Sequence, residues 1–395
     1  MADARIKGIL LGEGVIVKKI IYLAHYIDLK APGNRNIIGS PAALNKMDYI
    51  IRVLSQLHIK TTVVSACNAN SRRSNPAVNS EIYPDITLKL LPTLKCNKLL
   101  SRIVSKLYFL LQLIICLFKE VNHGDTLIVY HALSLIVPIK ILKLFRKCHL
   151  IIEVEEIYGD VICNSKCTKK ELRLFKKADG YLFATELLER KINVDKKPAI
   201  VVNGVYNTEP ELKKLFKDDK IHVVYAGTLD PRKGGAIAAS SALFLDERYH
   251  MHILGFGGEQ EKKLLLNEIQ RISAQSKCTI TFDGCLFGEE YIQFLQSCDI
   301  GLSTQDPSAA FNATSFPSKI LSYMSNGLRV VSVRIPAIEM SKVGAYLYYY
   351  DSQTPEEIAK AIMTVNIKDA HNGRDIVKRL NMDFLEELRN FEFIQ

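Results

Sequence analysis

"IHVVYAGTLDPRKGG", residues 221–235, decides how the chain folds. A short β-branched run ends on Gly227, and the turn after it carries Arg232 and Lys233 beside Gly234 and Gly235. A strand running into a small-residue turn and then a helix start is the repeating unit of an α/β sheet. Small residues let an anion reach backbone N–H groups at a helix start, and the two cations would neutralise it. Taken alone, a solvated basic turn explains the stretch equally well. "HILGFGGE" (252–259) repeats the device with Gly255, Gly257 and Gly258, where a tight turn is again sufficient. "TSFPSKILSYMSNG" (314–327) is more telling. Pro317 suits a first helical turn, Thr314, Ser315 and Ser318 offer caps or ligand hydroxyls, and Lys319 sits where a cation opposes the helix dipole unless an anion is near. Three strand-end loops of this kind, in this order, are hard to explain by structure alone.

Outward from these loops, strands and helices alternate in both halves of the 395 residues, enough chain for two domains of ordinary size. In the first half the strands are "KIIYLAHYI", "TTVVSA", "DTLIVYH", "HLIIEVEE", "KKADGYLFAT" and "PAIVVNGVY". Helices are expected in "LNKMDYIIRVLSQL", around 99–120 and in "LSLIVPIKILKLFRK", with residues 67–85 as a mobile loop. The second half restarts with "IHVVYAG", "YHMHILG", "CTITFDG", "CDIGLST" and "RVVSV". The expected domains are 18–206 and 221–370, joined by the polar stretch 207–220, with 371–395 a helix that crosses back. Two such halves leave a cleft where the carboxyl ends of their strands face each other. Residues 1–17 are read either as a non-native extension, with Val17 the natural start, or as a disordered segment or edge strand.

Composition narrows the function. Hydrophobic residues make up 48% and charged residues 24%, a globular balance, and the formal charge of +10 favours an anionic partner. Nine cysteines without a CxxC pair argue against a zinc site or a disulfide framework and for a reducing compartment. The uncharged runs 107–118 and 126–139 are shorter than a spanning helix, so no transmembrane segment is expected. Residues 99–150 hold seven basic residues against two acidic ones, half of the whole chain's excess. Arg102, Lys106, Lys140, Lys143, Arg146 and Lys147 flank apolar runs there, as suits helices lying on anionic lipid; buried helices with basic ends are the plainer alternative. Nucleic-acid binding has no motif to support it.

The second half resembles the donor domain of retaining glycosyltransferase family 4, the "group 1" class with the GT-B fold: two Rossmann-like domains facing a cleft. "AGTLDPRKG" is similar to the family's G-R-L-x-x-x-K-G, with Gly227, Leu229, Lys233 and Gly234 in place. "SYMSNGLRVVS" is similar to E-A-M-A-x-G-x-P-V-V, and Gly284 and Asp299 fall on the family's glycine and aspartate before the sugar loop. His131 falls on the family's first histidine, and "VVNGVY" resembles its hinge-proximal N-G-V. The resemblance spans most of 19–370. It departs where the family has Glu-x7-Glu, here Thr314 and Ser322, where its phosphate arginine becomes Thr228, and where Glu155 and Glu156 replace a His-Asp pair. "FPSK" is a recurring variant of the loop.

The resemblance implies a retaining, metal-independent transfer from a nucleoside-diphosphate sugar, with no cofactor. The acceptor is expected to be a lipid-linked glycan in bacterial surface polysaccharide assembly, and the location cytoplasmic, at the inner face of the cell membrane. The alternatives are a silent homologue that scaffolds an active transferase, or a nucleotide-sugar epimerase. Catalytic roles fall to Lys233, Arg232, Glu155 and His131. Donor contacts fall to Gly227, Thr228, Gly255, Gly257, Thr314, Ser315, Phe316, Ser318, Lys319 and Ser322. Gly39, Ser40 and Glu156 form the acceptor side. A core histidine is an equal reading of His131, and one of the two glutamates is expected to be solvated or lysine-paired, since neighbours on a strand face opposite ways.

Overall fold

The computed structural model describes residues 19–28, 41–68, 74–95, 99–309, 312, 314–368 and 373–394. The extension 1–17 and the acceptor-side candidates Gly39 and Ser40 lie outside the described residues.

Two α/β domains follow one another. The first sheet contains β1 (Ile20–Ala24), β2 (Thr61–Ser65), β3 (Val78–Tyr83), β4 (Ile86–Leu90), β5 (Thr126–Tyr130), β6 (His149–Val154), β7 (Gly180–Phe183) and β8 (Ala199–Val201), in the order β3-β4-β2-β1-β5-β6-β7-β8. The second contains β9 (Ile221–Thr228), β10 (Tyr249–Phe256), β11 (Thr279–Gly284), β12 (Ile300–Ser303), β13 (Arg329–Val333) and β14 (Tyr348–Tyr350), in the order β11-β10-β9-β12-β13-β14. Every pair is parallel except β3 with β4. Central strands such as β1, β2 and β5 are buried along their whole length, which is why they read as unbroken apolar or β-branched runs.

The β3–β4 hairpin corrects the loop expected over 67–85. It turns at Asp85, whose φ is +66°. β3 lies at the sheet edge with exposed or half-buried side chains on both faces, so its sequence "VNSEIY" carries no apolar alternation. β14, "YYY", is the other edge strand that the pattern did not reveal.

The helix expected around 99–120 spans Leu99–Glu120. Its Ser101–Glu120 portion has a mean hydropathy of 1.7 and is long and apolar enough to cross a membrane, because helix formation carries the apolar run past Arg102 and Lys106. One face, Ser105, Phe109, Leu113 and Leu117, is buried on the first domain. The opposite stripe, Ile103, Leu107, Leu111 and Ile115, is open.

In each sheet the order reverses about a central strand, β1 in the first and β9 in the second, and the loops after that strand and its neighbour diverge to make a crevice. The segment 207–220 has no regular structure but is pinned to the second domain: Leu212 N–H donates to Gln296 Oε1 at 2.7 Å and Leu215 N–H to Ser297 Oγ at 2.8 Å. The final helix, Gly373–Arg389, contacts the first domain, where Phe384 stacks on Tyr49 at 5.7 Å and Asn381 accepts from the Tyr49 hydroxyl. The domains also meet at Asn203, whose Oδ1 accepts from Lys342 N–H, and at Thr185, whose hydroxyl donates to the Thr314 carbonyl at 2.9 Å.

Candidate active site

The switch point of the second sheet gathers the cations. After β9 the chain turns through a 3-10 segment, Pro231–Lys233, capped by Asp230, and leaves at Gly234 with φ +84°. A Cβ at Gly234 would overlap the Thr304 carbonyl, so the residue is fixed by the close approach of the loop after β12. Tyr225 on β9 closes this turn from beneath, its hydroxyl donating to the carbonyls of Lys233 (2.9 Å) and Thr228 (3.1 Å). Thr304 Oγ1 donates to Gly234 O and Asp306 N–H to Arg232 O, stitching the two loops together.

Lys319 is the centre of this arrangement. It sits in the first turn of the helix Ser318–Ser325, whose start has no side-chain cap. Its Nζ is buried, has no hydrogen-bond partner and lies 3.7 Å above the centre of the Tyr225 ring. A Cβ at Gly227 would come within 3.0 Å of that Nζ, so the glycine makes room for the lysine. Burial, reinforced by the Lys233 charge, pulls the Lys319 ammonium down to about 7. An ammonium buried against a second cation with no anion beside it is costly unless something negative arrives.

The other predicted donor-side residues divide. Burial lowers the Lys233 ammonium, while Asp230 and Glu156 raise it. Arg232 is exposed and forked onto Asp230, with Nη2 2.6 Å from Oδ2, so this guanidinium is committed within its own turn. Gly255 and Gly257 are small because β10 ends against Gly227 and Leu229; packing explains them. Phe316 packs on the core, Ser318 is exposed, and Ser315 is half-buried between them. Ser322 is half-buried on the helix Ser318–Ser325, with its hydroxyl near the half-buried Tyr291. Thr314 uses its carbonyl on Thr185, and the Thr228 carbonyl is taken by Tyr225.

The first domain offers carboxylates across the crevice. Glu155 is paired with Lys46 at 2.5 Å, and Lys46 also donates to Val202 O at 2.8 Å. Glu156 is raised by burial and by Glu155, and lowered by Lys233, so it is the glutamate in the field of the opposite domain. Of the two, Glu155, expected as a catalytic residue, is the lysine-paired one, and Glu156 is left on the acceptor side. His131 is a core histidine. Its Nε2 lies 2.8 Å from Glu171, a fully buried carboxylate that also accepts from the Tyr158 and Gly159 amides. Glu153 was not foreseen. Fully buried, it accepts from the Tyr22 hydroxyl at 2.7 Å, and burial with the Glu155 charge pushes its carboxyl up to about 8. In the sequence it is one polar residue inside "HLIIEVEE", without a spacing signal.

Comparison with known proteins fits this geometry. Residues 220–366 match the family model "Glycosyl transferases group 1". Sucrose-phosphate synthase (tll1590) from Thermosynechococcus elongatus superposes with a TM-score of 0.64 at 14% identity, over 95% of this chain and 96% of that one. The fold is GT-B. An alpha,alpha-trehalose 6-phosphate synthase from Burkholderia multivorans gives 0.63 at 9%, over 94% and 93%. Anabaena Alr3699/HepE, in complex with UDP and glucose, gives 0.61 at 15%, over 94% and 99%. No curated protein matches the chain. At these identities the structural likeness is one of fold.

Proposed function

We propose that the protein is a glycosyltransferase that moves a sugar from a nucleoside-diphosphate donor, with retention and without a metal on the diphosphate. The carrying observation is Lys319: a buried, unpartnered ammonium at an uncapped helix start, beside Lys233, at the switch point of the second sheet. A diphosphate there accepts from the first-turn amides and neutralises both lysines. When the bond from the sugar to the diphosphate breaks, charge builds on the leaving phosphate, and the same fixed cations hold it. Glu156 is placed to meet an acceptor or sugar hydroxyl from the other side. UDP in the similar Anabaena structure makes uridine the first nucleotide to try.

The acceptor on this reading is carried on lipid, in assembly of a bacterial surface glycan, with the protein peripheral on the cytoplasmic membrane face. The open stripe of the helix Leu99–Glu120 supports it, together with exposed Val137, Leu144 and Phe145 on the neighbouring helix Ile136–Phe145. Exposed Arg102, Lys106 and Lys147, with half-buried Lys140, border this surface. Lys143 and Arg146 are tied to Cys148 O and Phe118 O, which removes them from the lipid-facing set. An apolar stripe edged by cations suits a helix lying in the headgroup region of anionic lipid.

The test is incubation with UDP-sugars, with and without vesicles containing lipid-linked acceptor. Slow donor hydrolysis without acceptor and faster turnover with it is expected. An unchanged donor supports the silent homologue, and an isomerised donor the epimerase.

A further inference from the structure

Far from the switch point, the first halves of β9 and β10 bring His222, His250 and His252 together on one face of the second sheet, with one ring nitrogen from each lying within 4.8 Å of the others. His222 Nε2 lies 2.7 Å from Asp218 Oδ1, and His252 Nδ1 lies 3.1 Å from Asp283 Oδ2. An ionised carboxylate only accepts, so each of those ring nitrogens carries the proton of a neutral imidazole. The remaining nitrogens, His222 Nδ1 and His252 Nε2, are then both lone-pair atoms, yet they face each other at 2.9 Å. Two lone pairs at that distance need a cation between them.

Charge and surroundings favour a divalent one. Two aspartates contribute two negative charges, which a shared proton leaves half-compensated and a divalent ion balances. Phe216 stacks on His222 at 4.1 Å and on His252 at 4.9 Å, and Phe294 closes edge-on over His252, so the imbalance would sit in an apolar setting. His250 supplies the third nitrogen: the Thr281 hydroxyl donates to Asp283 and so accepts from His250 Nε2–H at 3.1 Å, which leaves Nδ1 as the His250 atom with a free lone pair.

We propose that His222, His250 and His252 bind a divalent transition metal of the zinc class, with Asp218 and Asp283 fixing the outer nitrogens of two of the ligands. Carboxylates on the far nitrogen of a ligating histidine are the usual support for such an ion. Metal–nitrogen bonds of about 2.0–2.1 Å require the His222–His252 pair to open by only a few tenths of an ångström, and the His250 ring, stacked on His252 at 3.9 Å, to turn its nitrogen toward the ion. Because Phe216 and Asp218 belong to the segment entering β9, the ion would clamp that segment to the sheet, a structural role separate from the donor site. This departs from the expectation of no metal, which rested on cysteine spacing and on the family resemblance, neither of which registers histidines spread over two strands.

The experiment is calorimetric titration of Zn²⁺ into the chelator-treated full chain, with Co²⁺ absorption as a readout of coordination. One equivalent of Zn²⁺, a raised melting temperature and the visible bands of a low-coordinate Co²⁺ site are expected. His250→Gln should weaken Zn²⁺ at least tenfold, and Asp218→Asn about 10–100-fold. Absence of stoichiometric Zn²⁺ binding, or binding unchanged in both variants, overturns the site and leaves a shared proton between the two imidazoles. If His250→Gln does not fold, the wild-type Co²⁺ spectrum decides: no such bands, no site.

Discussion

The two walls of the crevice handle charge in opposite ways. On the first domain most charged groups are matched within the fold, Glu155 with Lys46, His131 with Glu171 and Glu153 with Tyr22, and Glu156 alone of the four carboxylates described there lies in the field of Lys233. On the second domain Lys319 is buried with no anion beside it, and Lys233 lies close enough to depress it further. A wall that is already neutralised is built for neutral partners such as hydroxyls, whereas a wall left positive stores an electrostatic cost that an anion relieves. On the proposed function, the contrast assigns the diphosphate to the second wall and the acceptor to the first.

The largest effect is expected where the first wall is undone. Lys46→Ala strips the counter-charge from Glu155 and leaves it beside Glu153, and breaking a buried pair in this way costs about 3–5 kcal/mol. A denaturant midpoint within error of wild type would show that this wall is not internally matched.

Lys319→Met should act in the opposite direction. The folded protein holds this ammonium below its unfolded value of 10.5, at about 7. The penalty is absent above the unfolded value, grows as pH falls, and is complete below the folded one. Removing it should stabilise the ligand-free protein by up to about 4 kcal/mol at pH 7, with the gain shrinking toward pH 10. Melting curves across that range check it, and a loss of stability at every pH would contradict the unpaired cation.

Lys233→Ala should lower turnover by about 10²–10³, by analogy with the loss of one preorganised donor to developing negative charge. Circular dichroism separates this from unfolding, and near-wild-type turnover in a folded variant would remove Lys233 from the chemistry.

Ser322→Ala is the smallest change. It removes one half-buried neutral hydroxyl near Tyr291, so the cost is stability of about 1 kcal/mol or less, with donor affinity unchanged. A tenfold loss of nucleotide affinity would restore the serine to the donor site.

The loops were legible because their signals are local: a strand, then glycines and a basic pair at 227–235, then "FPSK" at 316–319. What Lys319 lies against was not, since Tyr225 reads as one more strand residue and its closeness comes from sheet packing. For the same reason the nearness of Tyr291, on the helix Gly288–Gln296, to Ser322 was hidden. Glu155 and Glu156 were known to diverge, but which one faces the crevice depends on Lys46, more than a hundred positions earlier. The hairpin β3–β4 was missed because an edge strand needs no apolar face.

Calorimetric titration with nucleoside, nucleoside monophosphate and nucleoside diphosphate tests the positive wall most directly, repeated at pH 6.5 and pH 8.5. Affinity should step up sharply at the diphosphate, collapse for that ligand alone in Lys319→Met, and at pH 8.5 be accompanied by proton uptake as the anion re-protonates Lys319. Equal affinity across the three ligands, with no protons taken up, would contradict a diphosphate site at Lys319.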